Sequence, residues 1–270
     1  MPELPEMENY KNLLSERIQN KLITDVEVGR EKSINVSVDE FTQLVKNRTL
    51  KKVTRRAKHL LFHLDNDVVL LLHLMLGGWM FFGSEQDKPD RTIQIRISFE
   101  NQHLYFIGLR LGYLHLYKGF EEAAIELEDL GPEPLSPPFS VEQFLDLAAK
   151  RRGSLKTTLV NQQFLSGIGN CYSDEICFHA GLLPQRKFNE VSEHEIRQLF
   201  QSMQFILKDA ANSGGYMEQP LFTGDTLTGG YNTKCRVYDR EGEPCSRCGS
   251  PIIKDEISSK KTFYCANCQK

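Results

Sequence analysis

Four cysteines near the C-terminus carry the plainest chemistry in this chain. Cys245 and Cys248 form one C-x-x-C pair and Cys265 and Cys268 a second, with 16 residues between them. Each pair offers two thiolates from one tight turn, and a hairpin between the pairs lets them converge into the tetrahedral four-sulfur cage that zinc accepts. A cage filled entirely by protein ligands is structural, and it supplies on the order of 10 kcal/mol of folding free energy to a hairpin too small to hold itself. Two redox C-x-x-C motifs would sit in a βαβ pattern, which is missing here. Cys171, Cys177 and Cys235 lack paired spacing and read as buried thiols. Lys260 and Lys261 lie at the hairpin tip, where they suit phosphate contact or simple solvation equally well.

The opposite end offers a nucleophile. Pro2 follows Met1 directly, so removal of Met1 would leave a secondary amine. An α-amino group titrates near about 8, which leaves part of it as free base at neutral pH. Such an amine can attack an aldehyde-like carbon and form an iminium, with neighbouring Glu3 moving protons. A Pro-capped helix start accounts for the same residues without any chemistry.

Charge bears on which partner these groups would meet. The 270 residues carry 33 Lys and Arg against 36 Asp and Glu, a net charge of −3, with 40% hydrophobic and 26% charged residues. That composition excludes a disordered or collagen-like chain, and the length accommodates two or three domains. The net charge argues against a nucleic-acid partner only if it is evenly spread. It is not: residues 41–64 contain no acid but carry Lys46, Arg48, Lys51, Lys52, Arg55, Arg56 and Lys58. Residues 147–173 likewise lack acids and carry Lys150, Arg151, Arg152 and Lys156, while Glu121, Glu122, Glu126, Glu128, Asp129 and Glu133 cluster between the two stretches. A polyanion-binding surface and an ordinary solvated face explain this pattern equally well. The acidic N-terminus lacks the basic start and apolar core of a signal peptide. The longest apolar run, residues 68–82, is broken by His73, Gly77 and Gly78 before it could span a membrane. A cytosolic protein is expected, with cysteines serving as metal ligands or thiols rather than disulfides.

The elements that must position these groups follow from periodicity. A helix is predicted over residues 5–20, apolar at Met7, Tyr10, Leu13, Leu14 and Ile18. Strands are predicted at 60–64, 68–74, 78–82, 92–99, 103–107 and 113–117, split by turn residues such as Asp65, Asn66 and Asp67, and they suggest an antiparallel sandwich or barrel. The Pro-rich segment 130–138 marks a boundary, beyond which helices are predicted at 141–150, 155–164, 170–180 and 192–211. Ser140, Asn170 and Ser192 are expected N-caps and Gly181 a helix stop. Residues 212–233 form a long loop with five glycines, a length that favours a functional role. No internal repeat is visible.

Taken in order, the motifs MPELPEME at 1–8, RRAKHLLF at 55–62, LGPEPLS at 130–136, SGIGNCYSDEI at 166–176, and VYDREGEPCSRCG with FYCANCQK in the ribbon resemble the formamidopyrimidine-DNA glycosylase / endonuclease VIII family over the whole chain. The resemblance implies an α+β protein. Its parts would be an N-terminal antiparallel β-sandwich with an N-terminal helix (residues 1–130), a helix-two-turn-helix domain with a long lesion-side loop (131–233) and a C-terminal four-cysteine zinc ribbon (234–270). It further implies that double-stranded DNA containing damaged bases or abasic sites lies between the domains of a monomer that would be nucleoid-associated in a bacterium. Pro2 would attack C1′ of the damaged nucleotide, Glu3 would be the general acid, and Lys58 would sit by the lesion's phosphate. Asn170 in the Gly-Ile-Gly-Asn turn would contact phosphate, with Arg152 and Lys156 reaching the adjacent strand. One structural zinc ion is implied at Cys245, Cys248, Cys265 and Cys268.

The sequence also departs from the family pattern. Where the zinc hairpin normally carries an arginine that clamps phosphate, this chain has Lys260, which keeps the charge and loses the planar bidentate fork. Where Met, Arg and Phe enter the duplex in formamidopyrimidine-type members, it has Leu76, Leu109 and Leu111, with Arg110 the one cation of that turn. Leucines can wedge a base stack but cannot hydrogen-bond an orphaned base. The Gly-Gly-Thr-Thr-Leu loop that covers 8-oxoguanine is replaced by Gly214, Gly215, Tyr216, Met217, Glu218, Gln219 and Pro220. The expected activity is a bifunctional glycosylase and abasic-site lyase of base-excision repair acting on oxidised bases; the alternative is a noncatalytic or weakly active damage-binding paralogue on the same fold.

Overall fold

Helical spacing of Met7, Tyr10, Leu14 and Ile18 gives α1 (Leu4–Ile18) one apolar face, and all four side chains are buried. The computed structural model describes residues 1–270, which divide into two compact units: Met1–Glu128 with Ser213–Gly230, and Asp129–Asn212 with Tyr231–Lys270.

In the first unit α1 is followed by β1 (Asp25–Val28), α2 (Val38–Val45), β2 (Leu50–Arg56), β3 (His59–Leu64), β4 (Val68–His73), β5 (Trp79–Gly83), β6 (Ile93–Phe99), β7 (Gln102–Ile107), β8 (Tyr113–Lys118) and α3 (Phe120–Ile125). The strands form two four-stranded antiparallel sheets, ordered β1-β6-β7-β5 and β2-β3-β4-β8. Alternation along each strand sends Leu60, Phe62, Leu70 and Leu72 from one sheet, and Ile95, Ile97, Leu104 and Phe106 from the other, into a single core with α1. This is the expected sandwich.

The glycine-rich loop departs from the expected boundaries. Residues Ser213–Gly230 group with the sandwich rather than with the helices that precede them. Leu221 is fully buried in the sandwich core, its carbonyl accepts a hydrogen bond from Phe82 N, and Asn9 donates to Thr228 Oγ1 at 2.8 Å. An apolar anchor and backbone pairing decide where the loop folds.

The second unit contains α4 (Val141–Ala149), α5 (Leu155–Leu159), α6 (Asn170–Ala180), α7 (Glu193–Asn212) and the hairpin β9 (Ile253–Ile257) and β10 (Lys260–Tyr264). Ser140 caps α4, Ser192 Oγ accepts from Glu195 N at the start of α7, and Gly181 ends α6 in the left-handed region at φ 72°. Asn170 is not the N-cap of α6: extended Gly169 holds that position and Asn170 is the first helical residue. The ribbon is not a separate body but packs in this unit with α6. Glu175 Oε1 accepts from Arg236, Val237 and Tyr238 N, and Asp174 Oδ2 accepts from Phe263 N at 3.0 Å. No helix in the chain is long and apolar enough to cross a membrane.

Candidate active site and nucleic-acid interface

The first residues are seated by a reciprocal set of hydrogen bonds. Glu3, in extended conformation, caps α1: its side chain accepts from the backbone of Glu6, while Glu3 N donates to Glu6 Oε2 at 2.8 Å. The second oxygen of Glu6 accepts from Tyr216 N at 2.7 Å, so the glycine-rich loop is fastened to the same carboxylate. Gly215 makes this approach possible, because a Cβ there would lie 2.2 Å from Glu6 Oε1 and its φ of +75° disfavours other residues. Tyr216 Oη donates to the Met1 carbonyl at 3.4 Å. Pro2, Glu3 and Glu6 are all buried. The spacing that makes a helix cap therefore also fixes what surrounds Pro2 and Glu3.

Lys58 lies in the tight turn joining β2 to β3, where Ala57 takes a φ of 53°, and its side chain is buried. Arg55 ties this turn to α1, donating to Glu8 Oε2 at 2.7 Å and to the Ala57 carbonyl at 3.1 Å. Burial raises the Glu8 carboxyl, but hydrogen bonds from Arg55 and Lys11 outweigh it and hold the group below its usual range. Next to Lys58, the His59 and His73 rings lie 4.2 Å apart. Burial, then the charge of the neighbouring ring, lowers His59 to about 3, and burial with Lys58 lowers His73 to about 4, so both are neutral at pH 7.

The three leucines expected to enter the duplex do not behave alike. Leu76 and Leu111 project from adjacent turns and are 67% and 63% exposed. Leu109 has no exposure; its N–H donates to Gln94 Oε1 at 3.2 Å and its carbonyl accepts from Ser33 Oγ, so it anchors the turn and cannot enter a base stack. An apolar residue at that position is drawn into the sandwich core. Arg110 beside it is exposed.

In the second unit, Asn170 stands half-buried at the start of α6, an eleven-residue helix whose dipole favours a phosphate at that end. Lys156, expected to reach DNA, is instead completely buried, with Nζ 2.6 Å from Asp174 Oδ1 and 2.9 Å from the Asn170 carbonyl, so it holds the turn rather than touching DNA. Burial drives the Asp174 carboxyl up to about 7 against the pull of Lys156. Arg152 is exposed. At the hairpin tip Lys261 is taken up by Asp239, whereas Lys260 points outward from a two-residue turn of Ser258 and Ser259 at φ 49° and 59°. The sulfurs of Cys245, Cys248, Cys265 and Cys268 lie within 4.8 Å of one another, with Cys245 to Cys268 at 3.6 Å and Cys248 to Cys265 at 3.5 Å. Tetrahedral zinc with Zn–S bonds of about 2.3 Å requires sulfurs about 3.8 Å apart, so the donor set fits one structural zinc ion.

Three family models match in chain order: the formamidopyrimidine-DNA glycosylase N-terminal domain at residues 1–113, its H2TH domain at 130–219, and the zinc finger found in FPG and IleRS at 242–270. The formamidopyrimidine-DNA glycosylase of Shouchella clausii is 36% identical over 274 residues, covering 100% of this chain and 99% of the relative. That of Listeria innocua is 34% identical with both chains fully covered. The chain belongs to the formamidopyrimidine-DNA glycosylase family. Among solved structures, Lactococcus lactis Fpg in complex with DNA containing N7-benzyl-Fapy-dG matches with a TM-score of 0.92 at 27% identity and full coverage of both chains. The complex of the same enzyme with abasic-site DNA matches equally well in TM-score, covering 99% of each chain. Enzymes of this family join glycosylase and abasic-site lyase activities in base-excision repair.

Several residues of the site were not singled out from sequence. Glu6 could have been found from its i, i+3 spacing to Glu3, the signature of a capping box. Asp174 and Glu175 carry no local signal in the sequence, and only tertiary pairing reveals that they hold the ribbon.

Proposed function

We propose that this glycosylase excises oxidised bases from double-stranded DNA and cleaves the resulting abasic site, acting as a monomer through Pro2. Once Met1 is removed, the Pro2 nitrogen attacks C1′, the N–C1′ bond forms as the glycosidic bond breaks, and the base leaves with the proton that the Pro2 nitrogen gives up. Glu3 serves as general acid during sugar opening. The resulting iminium makes the C2′ proton labile, and its loss expels the 3′ phosphate. Lys58 assists beside the lesion phosphate; Asn170, Arg152, Arg110 and Lys260 bind the backbone, and Leu76 and Leu111 fill the vacated stack. Unstacking a base costs a few kcal/mol, which phosphate contacts and the wedge offset. The observation that carries this reading is the shared seat of Glu3, Glu6 and Tyr216 around the N-terminus, because it buries and orients the groups the chemistry needs.

The noncatalytic alternative draws on the same departures: Leu109 is withdrawn into the core and Lys260 lacks an arginine's fork. Incision of a duplex with a central abasic site separates the two. Steady nicking by the processed protein, lost in Glu3→Gln, supports the enzyme, and binding without nicking supports the alternative. Products of the first elimination should dominate, and Lys260→Arg should raise the share of second-elimination product several-fold.

A further inference from the structure

Arg55 makes a junction that the chemistry proposed above does not use. Register places Arg56 opposite His59, so the turn between β2 and β3 consists of Ala57 and Lys58 alone. Ala57 takes a φ of 53°, in the left-handed region that a residue with a Cβ occupies only when its surroundings hold it there. Arg55 supplies such a hold: its Nη1 donates to the Ala57 carbonyl at 3.1 Å, the oxygen of the peptide unit that leads into Lys58. Its Nε donates at 2.7 Å to Oε2 of Glu8, on the second turn of α1, and the Arg55 side chain is only 9% exposed. Burial raises the Glu8 carboxyl less than Arg55 and Lys11 lower it, so the carboxylate that anchors Arg55 is charged at neutral pH. Glu3 caps α1, and Glu8 lies about 7–8 Å further along the axis at a rise of about 1.5 Å per residue. One guanidinium therefore ties the peptide before Lys58 to the helix that Pro2 and Glu3 immediately precede.

The planar fork of an arginine presents separate nitrogens to these two acceptors in fixed directions, whereas a lysine ammonium is one point charge on a flexible stem. Such a fastening has kinetic weight, because displacing a participating group by about 1 Å can cost about 10²-fold in rate. We propose that Arg55 is a positioning residue: anchored on Glu8, it fixes where Lys58 stands relative to Pro2. The inference rests on the roles given to Pro2 and Lys58 in the glycosylase–lyase reading above, and it adds a residue that acts through Lys58 rather than on the substrate.

A double-mutant cycle on protein processed to begin at Pro2 tests this. Single-turnover incision of an abasic-site duplex gives the rate, and anisotropy of a labelled duplex carrying a tetrahydrofuran abasic analogue gives the affinity independently. Arg55→Lys should slow incision about tenfold or more while affinity stays within about twofold of wild type. Glu8→Gln keeps an acceptor for Arg55 but loses the charge, and should slow incision about threefold; it carries the cycle if Arg55→Lys does not fold. In a Lys58→Gln background the same substitutions should slow incision no further, because the group they position is gone. Ala57→Gly relieves the left-handed turn, so added to Arg55→Lys it should restore the melting temperature and leave the rate low. A wild-type rate in Arg55→Lys, the same fold-loss with and without Lys58→Gln, or recovery of the rate by Ala57→Gly overturns this proposal alone. Wild-type protein that binds the duplex and never incises it overturns the proposal together with the glycosylase–lyase reading.

Discussion

His59 and His73 show how a single side chain can tie the stability of the site to pH. Both are held neutral in the folded protein, His59 at about 3 and His73 at about 4, whereas an unfolded histidine titrates near 6.5. Because the folded values are depressed, the unfolded chain takes up more protons below pH 6.5; stability is complete above that value and declines as pH falls toward 4. His59 faces His73, Lys58, Arg56 and Tyr113, so no acid in that set offsets the effect. The first unit should lose on the order of a few kcal/mol between pH 7 and pH 4.5, and His59→Tyr should flatten much of that slope in thermal melts. An unchanged slope would contradict the assignment. At this scale the sequence was legible where chemistry is local, as in the cysteine spacing that brings four sulfurs together. It misplaced Lys156 and Leu109 because burial is a tertiary outcome. A lysine in an acid-free stretch looks solvated until Asp174, 18 residues later, is folded against it.

Among the elements, α6 couples the two features of the second unit proposed to bind phosphate. Its first residue is Asn170, whose carbonyl and Asp174 share the Lys156 ammonium, and Asp174 also accepts from Phe263 in β10, the strand that begins with Lys260. The turn and the hairpin are thus held in register by one buried ion pair. Removing one partner of such a pair typically costs about 3–5 kcal/mol. Asp174→Asn should lower the melting temperature of the second unit and weaken binding of abasic-site DNA while leaving the zinc content at one ion per chain. Retention of wild-type stability and affinity would show that the pair is dispensable. Element boundaries followed the periodicity well for α4, α6 and α7, because capping residues and apolar stripes agree. β1, β2 and α2 were not read as elements. In β2 the pattern Leu50-Lys-Lys-Val-Thr-Arg-Arg is dominated by cations on its exposed face, which masks the alternation of a strand. The predicted helix at 155–164 ends at Leu159, since Asn161 and the residues after it turn back toward the Gly-Ile-Gly-Asn loop.

For the whole molecule, the net charge of −3 conceals a division of labour among the cations. Lys46, Arg55 and Lys156 of the two acid-free stretches are consumed by Asp25, Glu8 and Asp174. Lys51, Lys52, Lys150 and Arg152 remain exposed for a polyanion. The two units also differ in what holds them. The sandwich has a large continuous core, whereas the ribbon has only Val237, Ile252, Phe263 and the cysteines packed with Phe178. A structural zinc contributes on the order of 10 kcal/mol to so small a module. Chelation under reducing conditions should therefore unfold the ribbon and abolish DNA affinity while the calorimetric transition of the first unit persists. A simultaneous loss of both transitions would contradict this division.

A covalent bond between Pro2 and C1′ is the step on which the proposed chemistry turns, and borohydride reduction traps it. Protein processed to begin at Pro2 is incubated with abasic-site duplex and reduced, and the adduct is located by peptide mass analysis. A stable protein–DNA adduct is expected on the Pro2 peptide, absent in Pro2→Gly and in protein that retains Met1. No adduct with wild-type protein, or an adduct mapped to a lysine such as Lys58, would contradict it.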